Sequence, residues 1–263
     1  MAGSKFMRGL LIRVGIDQSE ESGDWNAPVN TETNRFIFVP IRDRYNNSGY
    51  IKDGERIYGK EVPSALADFE RECGESNNIC FQLPARLLHQ PMHLDPDFLR
   101  LTYGDDGKRG RKLMQFGEDD FLVFYAGLKP ICGGRLEYAL IGLFTLAGRP
   151  LDVTQVPDTQ KLYNAHTRWN SVNAGDIVAH GKPGESGLFA RCIPIGEWRN
   201  RAYRVESNLL KRWGGLDVND GYLQRSAHLP EFLQPKRFRD WLDDQGFSMH
   251  RAQYQAGLSS EST

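Results

Sequence analysis

At 263 residues, with 40% hydrophobic and 25% charged side chains, the chain has the make-up of an ordinary globular protein, long enough to bury a core without staples. Its formal net charge of −1 excludes a protein that coats nucleic acid by bulk attraction, because that mode needs many unpaired cations facing phosphates, although a local basic groove remains open. No apolar run reaches the roughly 20 residues a membrane helix needs and residues 1–6 lack a signal-peptide core, so a cytoplasmic chain with no membrane partner is expected.

Within residues 7–15, Leu10, Ile12 and Val14 alternate, which predicts a first strand delivering Arg13 and Asp17 to its end. That pair either binds the anion and amide edge of a ligand or closes on itself as an ion pair. Residues 19–30 are rich in Ser, Gly, Asp, Asn and Pro and read as a loop. Its Trp25 either packs back onto the core or stacks on a ligand. Residues 36–41 predict a strand, with Pro40 marking either a sheet edge or the strand's end. Residues 63–73 predict a helix, with Ala65, Leu66 and Phe69 at helical spacing, and residues 83–88 a strand or turn.

The stretch from 93 to 148 organises the chain. Asp95 precedes a proline, which disfavours helix there and lets His93, Asp95 and Asp97 project from an irregular segment. An imidazole with two carboxylates suits metal binding or acid–base work near neutral pH; the bland alternative is a hydrogen-bonded structural loop. After a basic turn at 108–112, residues 121–127 and 136–147 are continuous apolar runs, the pattern of strands buried on both faces. The Pro and Gly content of residues 129–134 joins them as a hairpin at the centre of a sheet.

Residues 149–161 read as loop, and His166, Arg168 and Asn170 form a second polar cluster. Residues 177–180 and 187–193 predict a further strand pair around residues 181–184, a turn whose spacing misses a phosphate loop and whose proline removes a backbone donor. Ser226 and His228 lack an elbow motif and a third partner, which argues against a serine hydrolase. Residues 231–244 carry Phe232, Leu233, Phe238, Trp241 and Leu242 in a helix-compatible arrangement. Lys108, Arg109 and Arg111, and later Arg199 and Arg201, are interleaved with Tyr103, Phe116, Trp198, Tyr203 and Trp213. That mixture suits phosphates with stacked bases, or equally solvated charge over packed aromatics. Cys73, Cys80, Cys132 and Cys192 match neither a zinc ribbon nor a redox pair, so reduced and mostly buried thiols are expected.

The expected fold class is therefore α+β, a strand-rich mixed sheet or partly closed barrel with flanking helices. Residues 1–250 are expected to form one domain and 251–263 a flexible C-terminal tail.

These residues together resemble the third family of nucleotide-modification-associated domains, described from phage and bacterial DNA-modification gene neighbourhoods. The likeness runs from Arg13-Val14-Gly15-Ile16-Asp17, with Ala27-Pro28 and Val39-Pro40-Ile41, through His93-Leu94-Asp95-Pro96-Asp97, Gln115-Phe116-Gly117 and the strand from Asp120 to Gly127. His166 with Asn170 resembles the family's later histidine–asparagine pair, and Leu229-Pro230 with Phe232 closes the match. The loop after Asp17 is acidic where small residues are expected, and residues 98–114 are more basic than expected. A weaker likeness links residues 118–125 and the strand through Ile141 and Gly142 to PUA-like barrels that read modified bases.

The resemblance implies a protein acting on or recognising a nucleobase or nucleotide in a DNA-modification pathway, with nucleotide or DNA as its partner. His93, Asp95, Asp97 and His166 would be catalytic, and Arg13, Asp17, Asn170 and Trp25 would bind substrate. Lys108, Arg109, Arg111, Arg199 and Arg201 would contact nucleic acid. Cofactor, metal and oligomeric state stay open. The alternatives are a non-catalytic reader of modified nucleic acid and a nuclease directed at modified DNA.

Overall fold

The computed structural model describes residues 6–17, 25–44, 47–73, 81–223 and 228–253. In chain order the elements are β1 (Gly9–Arg13), β2 (Pro28–Asn30), β3 (Arg35–Phe36), β4 (Ile41–Arg42), α1 (Tyr58–Cys73), β5 (Met92–His93), β6 (Thr102–Asp105), α2 (Gly107–Leu113), β7 (Phe121–Pro130) and β8 (Glu137–Thr145). They are followed by β9 (Leu151–Asp152), β10 (Ile177–His180), β11 (Gly187–Pro194), β12 (Gly196–Arg199), β13 (Ala202–Val205), α3 (Ser207–Trp213), α4 (Pro235–Asp243) and β14 (Met249–His250).

Strand β7 is apolar along its length because each of its faces meets a different core. Leu122, Phe124, Ala126 and Leu128 point into one, with Phe98, Phe144, Ile12 and Tyr103. Phe121, Val123 and Tyr125 point into the other, under Trp213, Phe238, Trp241 and Leu242 of α3 and α4. Both edges of β7 are also bonded: β8 runs antiparallel along one, while β1 and then β2 run parallel along the other. The strand order of the resulting seven-stranded mixed sheet is β14-β11-β8-β7-β2-β3, with β1 also on β7. The sheet curls into a half-barrel. The Cys192 N–H at its β11 end donates to Asn34 O at 2.8 Å, beside β3, so the two ends of the sheet approach one another. The expected strand-rich α+β class, with flanking helices, is what forms.

Three smaller sheets attach to this body: β6-β10-β9, β4-β5 and β12-β13. The first two carry the candidate site. Here the structure departs from several local expectations. Residues 177–180 and 187–193 are strands but do not pair with each other. β10 lies between β6 and β9, whereas β11 takes the free edge of β8. The intervening turn is bonded elsewhere, with Gly181 N–H donating to Leu101 O at 2.8 Å and Lys182 N–H to Thr145 O at 2.7 Å. The long apolar edge of β8 outcompetes the nearest strand in sequence.

Residues 36–41 form no continuous strand, because their donors and acceptors serve several partners: Ile37 N–H donates to Pro28 O, Val39 O accepts from Ile16, and Pro40 has no N–H to give. Helix α1 begins at Tyr58, ahead of Pro63. Tyr58 is held there from outside the helix, its N–H on Gln90 O and its buried hydroxyl on Pro40 O at 2.8 Å. Residues 85–87, inside the stretch expected as strand or turn, make a 3-10 turn.

Of the described cysteines only Cys192 is buried; Cys73 is half-buried and Cys132 exposed, fewer buried thiols than expected. Cys80, Ser226 and residues 254–263 lie outside the described residues. Within the stretch expected as tail, Gln253 is buried and its side-chain carbonyl accepts from Phe98 N–H at 3.0 Å. No helix among the described residues is long and apolar enough to cross a membrane.

Phe124 is fully buried against Phe98, Tyr103 and Phe144. Phe124→Ala is expected to cost about 3–5 kcal/mol, read as a fall in the urea midpoint at unchanged slope. An unaltered midpoint would contradict this packing.

Candidate functional site

His93 ends the β4–β5 ladder, where it pairs with Ile41. Asp43 follows β4, and its Oδ1 accepts from His93 Nδ1 at 3.1 Å. Asp95 lies two residues beyond His93, ahead of a cis peptide bond to Pro96, and its carboxylate is buried. Both of its oxygens accept from the Gly104 N–H on β6, at 2.8 and 2.9 Å, and Asn164 Nδ2 reaches Oδ1 at 3.5 Å. His166 sits on the 3-10 turn Ala165–Thr167, which Asn164 caps by accepting the His166 N–H at 2.9 Å. Its Nδ1 donates to Asp176 Oδ2 at 2.8 Å, just ahead of β10.

The rings of His93 and His166 meet edge to face with centroids 4.9 Å apart. Because each Nδ1 is engaged by its own carboxylate, each Nε2 is left facing Asp95 Oδ2, at 3.7 Å from His93 and 3.4 Å from His166. One ligand atom from each of these three residues lies within 4.8 Å of the other two, a grouping that could hold a single metal ion. Gly104 makes this closeness possible: a Cβ there would stand 2.4 Å from His166 Cδ2 and 2.8 Å from Asn164 Oδ1. The imidazoles remain 18% and 12% exposed, against 4% for Asp95, so solvent touches both rings.

Three carboxylates, those of Asp43, Asp95 and Asp176, surround two histidines. For His166, burial is the largest influence and opposes a proton, but the hydrogen bonds and charges of Asp176 and Asp95 together outweigh it, and its pKa is pushed up to about 10. Tyr50 donates its hydroxyl to Asp43 Oδ2 at 3.1 Å. Burial first, and then Asp43, raises the tyrosine pKa, so the hydroxyl stays a donor.

The remaining expected site residues take different places. Asp97 turns to Arg168, in a fully buried pair at 2.6 Å, and also accepts from Arg100 N–H, closing the 97–102 turn. Burial raises the Asp97 pKa against the pull of Arg168, and burial likewise lowers that of Arg168. Arg13 and Asp17 bond each other at 2.7 Å, and Arg13 also donates to Tyr138 Oη at 3.0 Å. Trp25 is partly buried against the main core. Asn170 donates to Ser48 O and Tyr50 O, both at 3.0 Å, while Trp169 stacks on Tyr50 at 4.0 Å. Asn170 thus holds the tyrosine that bonds Asp43, which in turn orients His93.

Arg109 is committed to Asp105 at 2.8 Å and to Tyr103 Oη at 2.9 Å, leaving Lys108 and Arg111 as the exposed cations of α2. Arg199 is paired with Glu197 and Asp220, whereas Arg201 is exposed at the β12–β13 turn. Sequence reading missed Asp43, Gly104, Asn164 and Asp176. Their only local signal is a position at a strand end or beside the second polar cluster.

The fold and this centre define a strand-rich α+β domain with a half-buried histidine–carboxylate site. The family model for Nucleotide modification associated domain 3 matches residues 8–234, most of the 263-residue chain, and the protein belongs to that family. It is thereby a nucleotide-modification-associated protein. No curated protein matches the chain, and no solved structure does.

Because the folded pKa of His166 lies above its ordinary 6.5, its protonation stabilises the fold fully below about pH 6.5, and that contribution is lost as pH rises through about 10. In chelator-treated protein, the stability advantage of wild type over His166→Gln is therefore expected to shrink between pH 6 and 10.5. Urea midpoints across that range measure it; a constant gap would contradict the charged assignment.

Proposed function

We propose that this domain is an enzyme acting on a nucleobase or nucleotide in a DNA-modification pathway, with His93, Asp95 and His166 as its reacting centre. What supports the reading most is the convergence of two accessible imidazoles on the Asp95 carboxylate, each oriented from behind by a further carboxylate. Orientation of an imidazole through one nitrogen so that the other can work is what acid–base and metal-assisted chemistry both require. A buried hydrogen-bonded loop does not require rings that stay solvent-accessible.

The other groups take supporting roles. Asp97 and Arg168 fasten the segment that carries Asp95, while Asn170, Trp169, Tyr50 and Asp43 fasten His93. Lys108 and Arg111 stand exposed on α2, directly after the strand that holds Gly104, and are suited to phosphate contact. The carboxylate-rich centre of a magnesium-dependent nuclease fits less well, because Asp97 is spent on Arg168.

One observation favours a second reading, a non-catalytic reader. Trp198 is 45% exposed on the β12–β13 hairpin with Arg135 over its ring at 5.5 Å and Tyr203 against its edge, a surface suited to base stacking.

The two readings part in one experiment. Purified protein is incubated with nucleotides and with DNA carrying canonical or modified bases, and digested nucleosides are followed by mass spectrometry. Turnover is expected, and His93→Ala and His166→Ala are each expected to reduce it by about 10²- to 10⁴-fold. Tight binding of modified DNA with no product, lost in Trp198→Ala and kept in His166→Ala, would replace the enzyme with the reader.

A further inference from the structure

We propose that His93 Nε2, His166 Nε2 and Asp95 Oδ2 form the three protein ligands of a single divalent transition-metal ion, of the class that accepts two imidazoles and a carboxylate, such as zinc or ferrous iron. The inference rests on the reading of this centre as the reactive one, and it specifies what the centre holds.

The geometry carries it in three ways. First, the two histidines are tight behind and slack in front: Nδ1 contacts of 3.1 and 2.8 Å to Asp43 and Asp176 contrast with Nε2 separations of 3.7 and 3.4 Å from Asp95 Oδ2. A good imidazolium–carboxylate bond is about 2.7–2.9 Å. Donor bonds of about 2.0–2.1 Å around a tetrahedral ion place neighbouring ligand atoms about 3.3 Å apart, close to what is seen here.

Second, the supporting contacts are those a metal site needs. Each histidine gives its far nitrogen to a carboxylate, which keeps the Nδ1 proton in place, so that a metal ion binding at Nε2 releases only the Nε2 proton to solvent and meets a ring already oriented from behind. Asp95 is itself held by the Gly104 N–H and Asn164. Gly104 at this point also clears the space that lets His166 approach, which a side chain would fill.

Third, the charge and donor set select the ion. Asp43, Asp95 and Asp176 bring three negative charges around two imidazoles, and the buried Arg168 is bonded to Asp97. Two nitrogen donors disfavour magnesium and calcium, which seek oxygen, and the absence of a thiolate from the set disfavours copper(I). Three protein ligands with partly exposed rings leave at least one position for water or a substrate atom, the arrangement of a catalytic rather than a closed structural site.

The test uses the full chain, stripped with chelator and titrated separately with zinc(II), cobalt(II) and magnesium(II). Bound metal is read by elemental analysis, cobalt by its visible absorption, and folding by circular dichroism. One saturable equivalent of zinc or cobalt per chain is expected, undisturbed by excess magnesium. His93→Gln and His166→Gln are each expected to weaken it at least 100-fold, and Asp43→Asn and Asp176→Asn, which keep every ligand, by about 10- to 100-fold. The absence of saturable zinc or cobalt binding by the wild type would overturn the proposal, as would wild-type affinity in either folded histidine variant. Should a histidine variant misfold, the wild-type titration and the two aspartate variants still decide. The two readings fail separately: saturable metal without turnover removes the enzyme and leaves the site, while turnover in a wild type that binds no saturable zinc or cobalt removes the site and leaves the enzyme.

Discussion

The double burial of β7 is the constraint on which the rest of the structure depends. A strand with apolar side chains on both faces must be covered twice, and its backbone groups must be bonded on both edges, because an unpaired N–H or C=O in that environment is costly. Here β8 meets one edge, and β1 followed by β2 meets the other. One face is covered by the aromatic cluster of Phe98, Phe124 and Phe144, the other by Trp213, Phe238 and Trp241 on the two C-terminal helices. The candidate centre is built on small ladders braced against the first of these cores, with Phe98 rising just past Asp97 and Tyr103 beside Gly104. Rigid packing beneath and irregular backbone above is how loops from distant parts of a chain are held in one geometry.

Electrostatics in this protein are mostly settled internally. Arg8 and Lys112 share Glu231, Arg109 is absorbed by Asp105 and Tyr103, Arg199 by Glu197 and Asp220, and Arg168 by Asp97. Among the described residues, several arginines that read as candidate nucleic-acid contacts in the sequence, Arg109 and Arg199 among them, are thus paired within the fold. The histidine–carboxylate centre is settled differently: the hydrogen bonds and charges of Asp176 and Asp95 outweigh burial and raise the pKa of His166.

A set of positioning residues lies behind the centre. Trp169 and Asn170 hold the 48–50 loop, Tyr50 in that loop bonds Asp43, and Asp43 orients His93. On the other side Asn164 both caps the turn of His166 and touches Asp95, while Asp176 orients the ring. The histidine–asparagine spacing at 166 and 170 thus divides between one residue that faces the centre and one that secures its surroundings.

The sequence by itself determined the elements whose signal is local. Continuous apolar runs at 121–127 and 136–147, rich in aromatic and branched residues, had the pattern of strands covered on both sides, and the proline after Asp95 argued against a helix there. The same reading placed His93, Asp95 and His166 among the reactive candidates, since imidazole and carboxylate chemistry belongs to residue type. Tertiary structure decided everything that depends on which distant groups meet. It split residues 36–41 among several partners, gave β11 to β8 instead of β10, and started α1 at Tyr58 through a hydroxyl bond to Pro40. It also separated Asp97 from Asp95, although the two are only two positions apart, by supplying Arg168 to one and Gly104 to the other. Asp43 and Asp176 acquired meaning only once folding brought them behind the two histidines. The physical reason is common to all of these: hydrogen bonds and ion pairs are chosen by proximity and burial in the folded chain, and a carboxylate carries no mark in the sequence of which cation or donor it will meet.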